Sequence, residues 1–156
     1  MFRINRRTDY AVRVMLCLAK RPFGTRLSTQ TIQNEMQTPR AFLHRIIADL
    51  SKVDLICTYP GPNGGVQLAR TAEEITLRQI WEAIEGPLMV SECIEAPQDC
   101  PLNAGCPVRA RWGSLQTVIA QELDHTSLEQ LAADARQMER SSSQKLKAAH
   151  SSISLS

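Results

Sequence analysis

The chain has 156 residues, enough for one domain or one domain with an appendage, and its 43% hydrophobic content can supply a core. Aromatic residues make up only 4%, which argues against a large aromatic-lined pocket, and the net charge is only +2. No apolar run is long enough to span a membrane, and the basic N-terminus lacks an apolar segment with a cleavage site, so a cytoplasmic chain with reduced thiols is expected.

The small net charge conceals a division. Residues 1–70 carry 11 Lys and Arg against 4 Asp and Glu, whereas residues 71–156 carry 7 against 12. A basic half joined to an acidic half suggests a polyanion-binding module next to a separate non-binding one.

In the basic half, apolar residues at 11, 12, 14, 15, 16, 18 and 19 form a broad helical stripe, with Thr8 as its cap and Pro22 and Gly24 as its stop. A short second helix is predicted from Ser28 to about Met36, with Ile32 and Met36 on one face. Thr38-Pro39 then reads as a hydroxyl cap followed by proline at the first helical position. The third helix runs to about Ser51 and buries Phe42, Leu43, Ile46, Ile47 and Leu50, leaving Arg40, His44, Arg45 and Asp49 outside.

Two short helices in succession, the second with a basic outer face, describe a helix-turn-helix whose second member enters the major groove. Thr38, Arg40, Ala41 and His44 are the base-reading candidates, and Arg45 reads a base or grips phosphate. Ser28 heads the preceding helix on the same side, and Arg6, Arg7 and Arg26 add phosphate contacts. Leu55–Tyr59, the turn Pro60–Gly65 and Val66–Ala69 then predict a hairpin, in other words a wing. Asn63, Gly64 and Gly65 at its tip allow the backbone to approach phosphate closely. Cys17 on the apolar helix stripe and Cys57 in a strand read as core residues.

In the acidic half, Thr76-Leu-Arg-Gln79 is a capping box for a helix through Glu85 that buries Leu77, Ile80, Trp81 and Ile84, and Gly86-Pro87 stops it. Cys93, Cys100 and Cys106 follow in one loop with spacing C-x6-C-x5-C, punctuated by Pro97, Pro101 and Gly105. Three soft ligands on a curled loop suit an iron–sulfur centre or zinc, and are one ligand short of four. Pro107 starts a helix to about Asp124, with Val108, Trp112, Leu115, Ile119 and Leu123 as a narrow stripe that packs on a partner helix or on its own domain. Cys106 stands at its N-terminus, where the helix dipole favours an anionic ligand. Thr126-Ser-Leu-Glu129 is a second capping box for a last helix near 127–138, and the Ser-, Lys- and Gln-rich stretch from Ser141 reads as a flexible tail.

The expected fold is therefore mainly α with a small β-hairpin wing. Residues 1–72 form a winged helix-turn-helix DNA-binding domain, and residues 73–140 hold the sensor loop (93–106) and long dimerisation helices. Residues 141–156 are the tail. An enzyme finds little support: there is no C-x-x-C pair, no nucleotide-binding glycine loop and no Ser/His/Asp arrangement.

Thr8-Asp-Tyr-Ala-Val-Arg13, Gly61-Pro-Asn-Gly-Gly65-Val-Gln-Leu-Ala-Arg70, Glu74-Ile-Thr-Leu77, Glu85-Gly86 and the three cysteines occur in that order. In this the chain resembles the bacterial winged-helix regulators that include NsrR, IscR and RirA, over roughly residues 1–135. The resemblance implies a homodimeric transcription regulator, a repressor, that binds a double-stranded DNA operator. Its iron–sulfur cluster (4Fe–4S favoured, 2Fe–2S the alternative) would tune that binding in response to nitric oxide, iron or redox state.

By the same resemblance Cys93, Cys100 and Cys106 are cluster ligands. The histidine that IscR-like members place three residues after the last cysteine is Arg109 here. The resemblance to NsrR-like members instead implies Asp9 of the partner subunit as fourth ligand, with Arg13 one turn later beside it. Water, thiol, Glu92, Asp99 and His125 are the other candidates. Two departures stand out: the first cysteine interval is six residues, and Pro60 occupies the position before the first wing glycine where such regulators usually carry arginine.

Overall fold

Asn5 accepts the Arg7 backbone N–H at 2.9 Å and so starts the first helix, α1 (Arg6–Ala19). The cap is thus Asn5 and not Thr8, which lies one turn inside the helix and is buried, its hydroxyl donating to Glu85. The computed structural model describes residues 4–153, with side chains through Gln144. Residues 1–3 of the expected first domain and 154–156 of the expected tail lie outside the described residues.

Ser28 caps α2 (Thr29–Met36) by accepting the Thr31 N–H at 3.0 Å, as the pattern predicts. Then α3 (Arg40–Lys52) begins one residue later than expected: Pro39 takes the cap position with no side-chain bond, and Thr38 is pulled into the interior at 1% exposure. Leu43, Ile46, Ile47 and Leu50 are buried, whereas Phe42 stays at the edge, tilted against Tyr10 with ring centroids 5.6 Å apart. The hairpin strands β1 (Ile56–Tyr59) and β2 (Gly65–Leu68) pair antiparallel from Ile56↔Leu68 to Tyr59↔Gly65. Leu27 adds a short bridge to Val66 on the far side of β2, with bonds of 2.9 and 2.8 Å.

After a single 3-10 turn at Ala72–Glu74, Thr76 and Gln79 close the predicted capping box at the start of α4 (Leu77–Glu85), and Gly86 ends it with φ +82°. The cysteine loop holds one short helical turn, α5 (Glu92–Glu95), and a 3-10 turn at Pro97–Asp99. Cys106 caps α6 (Pro107–His125), with proline at the first helical position. The last helix, α7 (Leu128–Ile153), differs twice from expectation. Its capping box is Ser127 with Gln130, one residue on from the Thr126 pattern. It also continues well past 138, because no glycine or proline interrupts residues 128–153.

One core unites α1, α2, α3, the hairpin and α4, with Met15, Ile32, Ile46, Leu50 and Ile80 fully buried. Truncating any of these to alanine costs roughly 2–5 kcal/mol. The start of α7 belongs to it as well. Leu77 N–H donates to Thr126 O at 2.9 Å and Leu128 N–H to Ile75 O at 2.8 Å, and Leu128 and Ala132 are fully buried. The core therefore runs across position 72. By contrast α6 contributes no buried residue at all, and Val108, Trp112, Leu115 and Val118 are exposed along it.

Candidate nucleic-acid interface and sensor loop

Burial of one face of α3 leaves Arg40, Ala41, His44 and Arg45 exposed on the other, with Arg40 Nε 3.4 Å from His44 Nε2. Beside this face a groove of about 310 Å³ is lined by Ser28, His44, Tyr59, Gly64 and Gly65, among others. It brings together the head of α2, the exposed face of α3 and the wing. Asn63 is exposed at the wing tip.

The glycines of the wing are dictated by space. A Cβ on Gly64 would lie 2.1 Å from Tyr59 O, and one on Gly65, at φ +140°, would lie 2.5 Å from Leu27 O. Close packing of these backbones is what permits the tight turn.

Two residues expected at this interface are turned elsewhere. Thr38 is buried, its hydroxyl 3.5 Å from Met36 O, because the helix start slipped to Arg40 and the chain enters the core before it. Arg7 points inward and pairs with Asp49 of α3, while Arg6 remains exposed. Sequence periodicity places Asp49 on the outer side of α3 and cannot foresee that α1 covers it.

Tyr59 and Gln67 were not singled out by the sequence. Cross-strand register puts the side chains of Tyr59 and Gln67 on one face, where Gly65 opposite Tyr59 leaves the ring uncovered. The Arg26 guanidinium stacks on that ring, 3.7 Å from its centroid. The alternation of the strands was the available signal.

All five cysteines are free thiols. Cys93 and Cys100 are half-buried and line one cleft of about 190 Å³ with Glu92, Ala96 and Asp99, and the Cys93 sulfur lies 3.1 Å from the Ser91 hydroxyl. Cys106 is half-buried at the head of α6 and is not part of that lining. The loop is fastened to α6 where Val90 N–H donates to the Gln116 side chain at 3.0 Å, and Arg109 donates to Asn103.

Among the described residues, no three His, Cys, Asp or Glu side chains are gathered as a metal would need. Asp9 is on α1, paired with Arg13 at 2.7 Å and about half exposed. His125 sits at the far end of the 19-residue α6, roughly 28 Å along the axis from Cys106, which removes it from the loop of its own chain. The donor chemistry, three reduced thiols on a proline-rich loop, fits an iron–sulfur centre or zinc. The fourth donor is not supplied beside them by a residue already turned toward all three.

Cys17 behaves differently. It is fully buried on α1, its sulfur 3.5 Å from a Glu35 carboxylate oxygen. Burial, reinforced by the Glu35 charge, pushes its thiol up to about 11. Arg21 pairs with Glu35 and holds that carboxyl below the usual carboxylate range.

The Rrf2 family, described as an iron-dependent transcriptional regulator, matches residues 4–134. The protein aau3 of Rhizobium meliloti is 36% identical over 110 residues, covering 69% of this chain and 70% of that protein. The HTH-type transcriptional regulator NsrR of Oceanobacillus iheyensis is 24% identical over 136 residues, covering 86% and 92%. Among solved structures, CymR, the global cysteine regulator of B. subtilis, superposes with a TM-score of 0.68 at 25% identity, over 85% of this chain and 98% of that one.

Proposed function

The chain belongs to the Rrf2 family of DNA-binding transcription regulators, and on that premise we propose that it is a homodimeric cytoplasmic repressor whose cysteine loop is the sensor. The observation that carries the reading is the pairing of two surfaces. An exposed cationic helix face adjoins a glycine-built wing, and three free thiols share a loop fastened to a helix that has no fully buried residue.

For the DNA surface, Arg40, Ala41, His44 and Arg45 face the major groove, and Asn63, Gly64 and Gly65 let the wing-tip backbone come close to phosphate. Ser28 lies at the edge of the same groove, and Arg6 adds charge from the start of α1. Arg7 and Thr38 act from behind: Arg7 steadies α3 through Asp49, and Thr38 packs beneath the helix start.

For the sensor, Cys93, Cys100 and Cys106 would hold an iron–sulfur cluster, with Asp9 of the partner subunit as the fourth ligand. Such a cluster, 4Fe–4S in preference to 2Fe–2S, would supply iron reactive toward nitric oxide and oxygen. Asp9 directly follows Arg7, fastened to α3, and Thr8, fastened to Glu85 at the end of α4. Whatever Asp9 binds therefore bears directly on the helix that aims the recognition face. Arg13, its partner within the helix, neutralises the carboxylate when nothing else does. Gating requires that the two states differ in operator affinity, because equal affinity shifts nothing.

The second reading is a regulator in which the thiols hold zinc or respond directly to oxidants. Direct oxidation needs no gathered ligand set, and among the described residues no three ligating side chains are gathered. Anaerobic purification decides between the two. Visible absorbance with stoichiometric iron and sulfide, and operator affinity that changes on nitric oxide addition, support the cluster. A colourless protein lacking iron and sulfide sinks it. Asp9→Ala should then blunt the response while leaving the dimer intact, since the exposed Asp9–Arg13 pair contributes only about 0.3–0.5 kcal/mol.

A further inference from the structure

The hairpin that forms the wing carries no positive charge of its own: no Lys or Arg occurs between Lys52 and Arg70. One cation nevertheless stands on it. Arg26 arrives from the connection between α1 and α2, and its neighbour Leu27 is bonded to Val66 in both directions. Gly65 faces the Leu27 carbonyl too closely for any Cβ, so the segment lies flat on the strand. The guanidinium rests on the Tyr59 ring at 3.7 Å, and Arg26 Nε donates to the Gln67 carboxamide oxygen at 3.4 Å. Gln67 in turn donates from its amide nitrogen to the Tyr59 hydroxyl at 3.1 Å, so ring and amide hold each other.

Five other arginines have been spent on carboxylates: Arg7 on Asp49, Arg13 on Asp9, Arg21 on Glu35, Arg78 on Glu82 and Asp124, and Arg136 on Glu129. Arg26 is exposed and, among the described residues, pairs with no carboxylate. A guanidinium stacked flat on a ring loses its face but keeps its terminal N–H groups in plane, aimed outward. The ring beneath it also lines the groove between wing and α3.

We propose that Arg26 is the phosphate clamp of the wing, a DNA-binding residue, with Tyr59 and Gln67 as the positioning residues that present it. This rests on the DNA-binding reading above. It adds that the cation serving the wing comes from outside it, fixed before DNA arrives, so little rotamer freedom is lost on binding. A guanidinium fork suits two phosphate oxygens, and such a contact positions the duplex without reading sequence.

The test uses the full-length protein and a fluorescein-labelled duplex of mixed sequence, about 30 base pairs long, with affinity measured by anisotropy between roughly 50 and 300 mM sodium chloride. Arg26→Ala should weaken binding roughly three- to tenfold at 0.1 M salt and lower the magnitude of the salt slope by about 0.9, the loss of one phosphate contact. Arg26→Lys should keep the slope. Tyr59→Phe, which retains the ring, should stay within about twofold of the parent. Tyr59→Leu should weaken binding in the parent yet add little on top of Arg26→Ala, a non-additivity that a general loosening of the hairpin would not produce. Thermal melts of each variant separate loss of contact from loss of fold.

An unchanged salt slope in Arg26→Ala, with the parent binding steeply, overturns the clamp alone and leaves the DNA-binding reading in place. Additive losses for Arg26→Ala and Tyr59→Leu overturn the positioning role. A parent that does not bind the duplex overturns both readings together.

Discussion

The DNA-binding head and the long helix α6 solve the same problem in opposite ways. In the head, the apolar stripes of α1, α2 and α3, Phe42 apart, find their counterparts within the chain: Met15, Ile32, Leu43, Ile46 and Leu50 are each at 1% exposure or less. Along α6 the corresponding residues stay outside, with Trp112 and Leu115 each 42% exposed and Val118 61% exposed. Single exposed apolar residues are ordinary, but four in helical register on one 19-residue helix are not. The head closes its core within one chain, whereas α6 leaves an apolar face uncovered. On the proposed reading a second copy covers that face, because a self-complementary helix face closes a two-fold dimer and a dimer presents two recognition helices to DNA.

The comparison breaks most sharply at α6. The double variant Trp112→Glu/Leu115→Glu puts two charges into the proposed helix–helix contact and should convert the dimer to a monomer in sedimentation equilibrium. Operator affinity should fall roughly a hundredfold or more, since the second half-site no longer binds at high effective concentration. The far-ultraviolet circular dichroism should hardly change, because neither residue is buried in its own chain. A variant that stays dimeric, or a parent that is monomeric, removes the contrast between the two regions.

How much of this was legible follows from the same contrast. The helices and the wing could be read because local rules decide them: apolar spacing for α1 and α3, Thr76 and Gln79 for α4, Pro107 for α6, and a dense turn for the hairpin. Caps failed where two hydroxyl or amide residues stood within reach of one helix start. Asn5 displaced Thr8, and Ser127 displaced Thr126, a choice that backbone geometry makes. The length of α7 was hidden because a polar segment without glycine or proline can prolong a helix that was already anchored by Leu128 and Ala132.

The candidate site was legible by residue type but not by direction. Arg7 and Arg40 look alike in sequence, yet one turns in to Asp49 and the other stays out. The three cysteines were evident from spacing, whereas the cleft that joins Cys93 and Cys100 with Glu92 and Asp99, and leaves out Cys106, depends on how the loop meets α6.

A smaller effect sharpens the description of the head as self-sufficient. Gly65 combines φ +140° with a Cβ position 2.5 Å from Leu27 O, a backbone atom that cannot swing aside as a side chain would. Gly65→Ala should therefore destabilise the protein by roughly 1–3 kcal/mol in urea unfolding, by strain at a conformation that L side chains rarely adopt. The same substitution at Gly113, where nothing lies within 4 Å and the backbone is helical, should be neutral or slightly stabilising. Equal behaviour of the two variants would show that the wing relaxes around the methyl group.

The least expected effect concerns one residue type used in two ways. Cys93, Cys100 and Cys106 lie half-buried in a loop, whereas Cys17 is sealed in the core, facing Glu35 and Arg21, with Lys20 near by. Burial and the Glu35 charge raise its ionisation from 9.0 to about 11. A folded value above the unfolded one means that the folded state holds the thiol proton more tightly. The resulting stability is fully present below about pH 9 and is lost as pH rises toward 11. The parent should therefore lose more melting temperature between those limits than Cys17→Ala does, even though the variant starts lower because it leaves a small void. Iodoacetamide on the cluster-free native protein should modify the loop thiols well before Cys17, because alkylation needs an accessible thiolate and Cys17 offers neither access nor charge. Rapid native-state labelling of Cys17 would mean that the head opens far more readily than its packing implies.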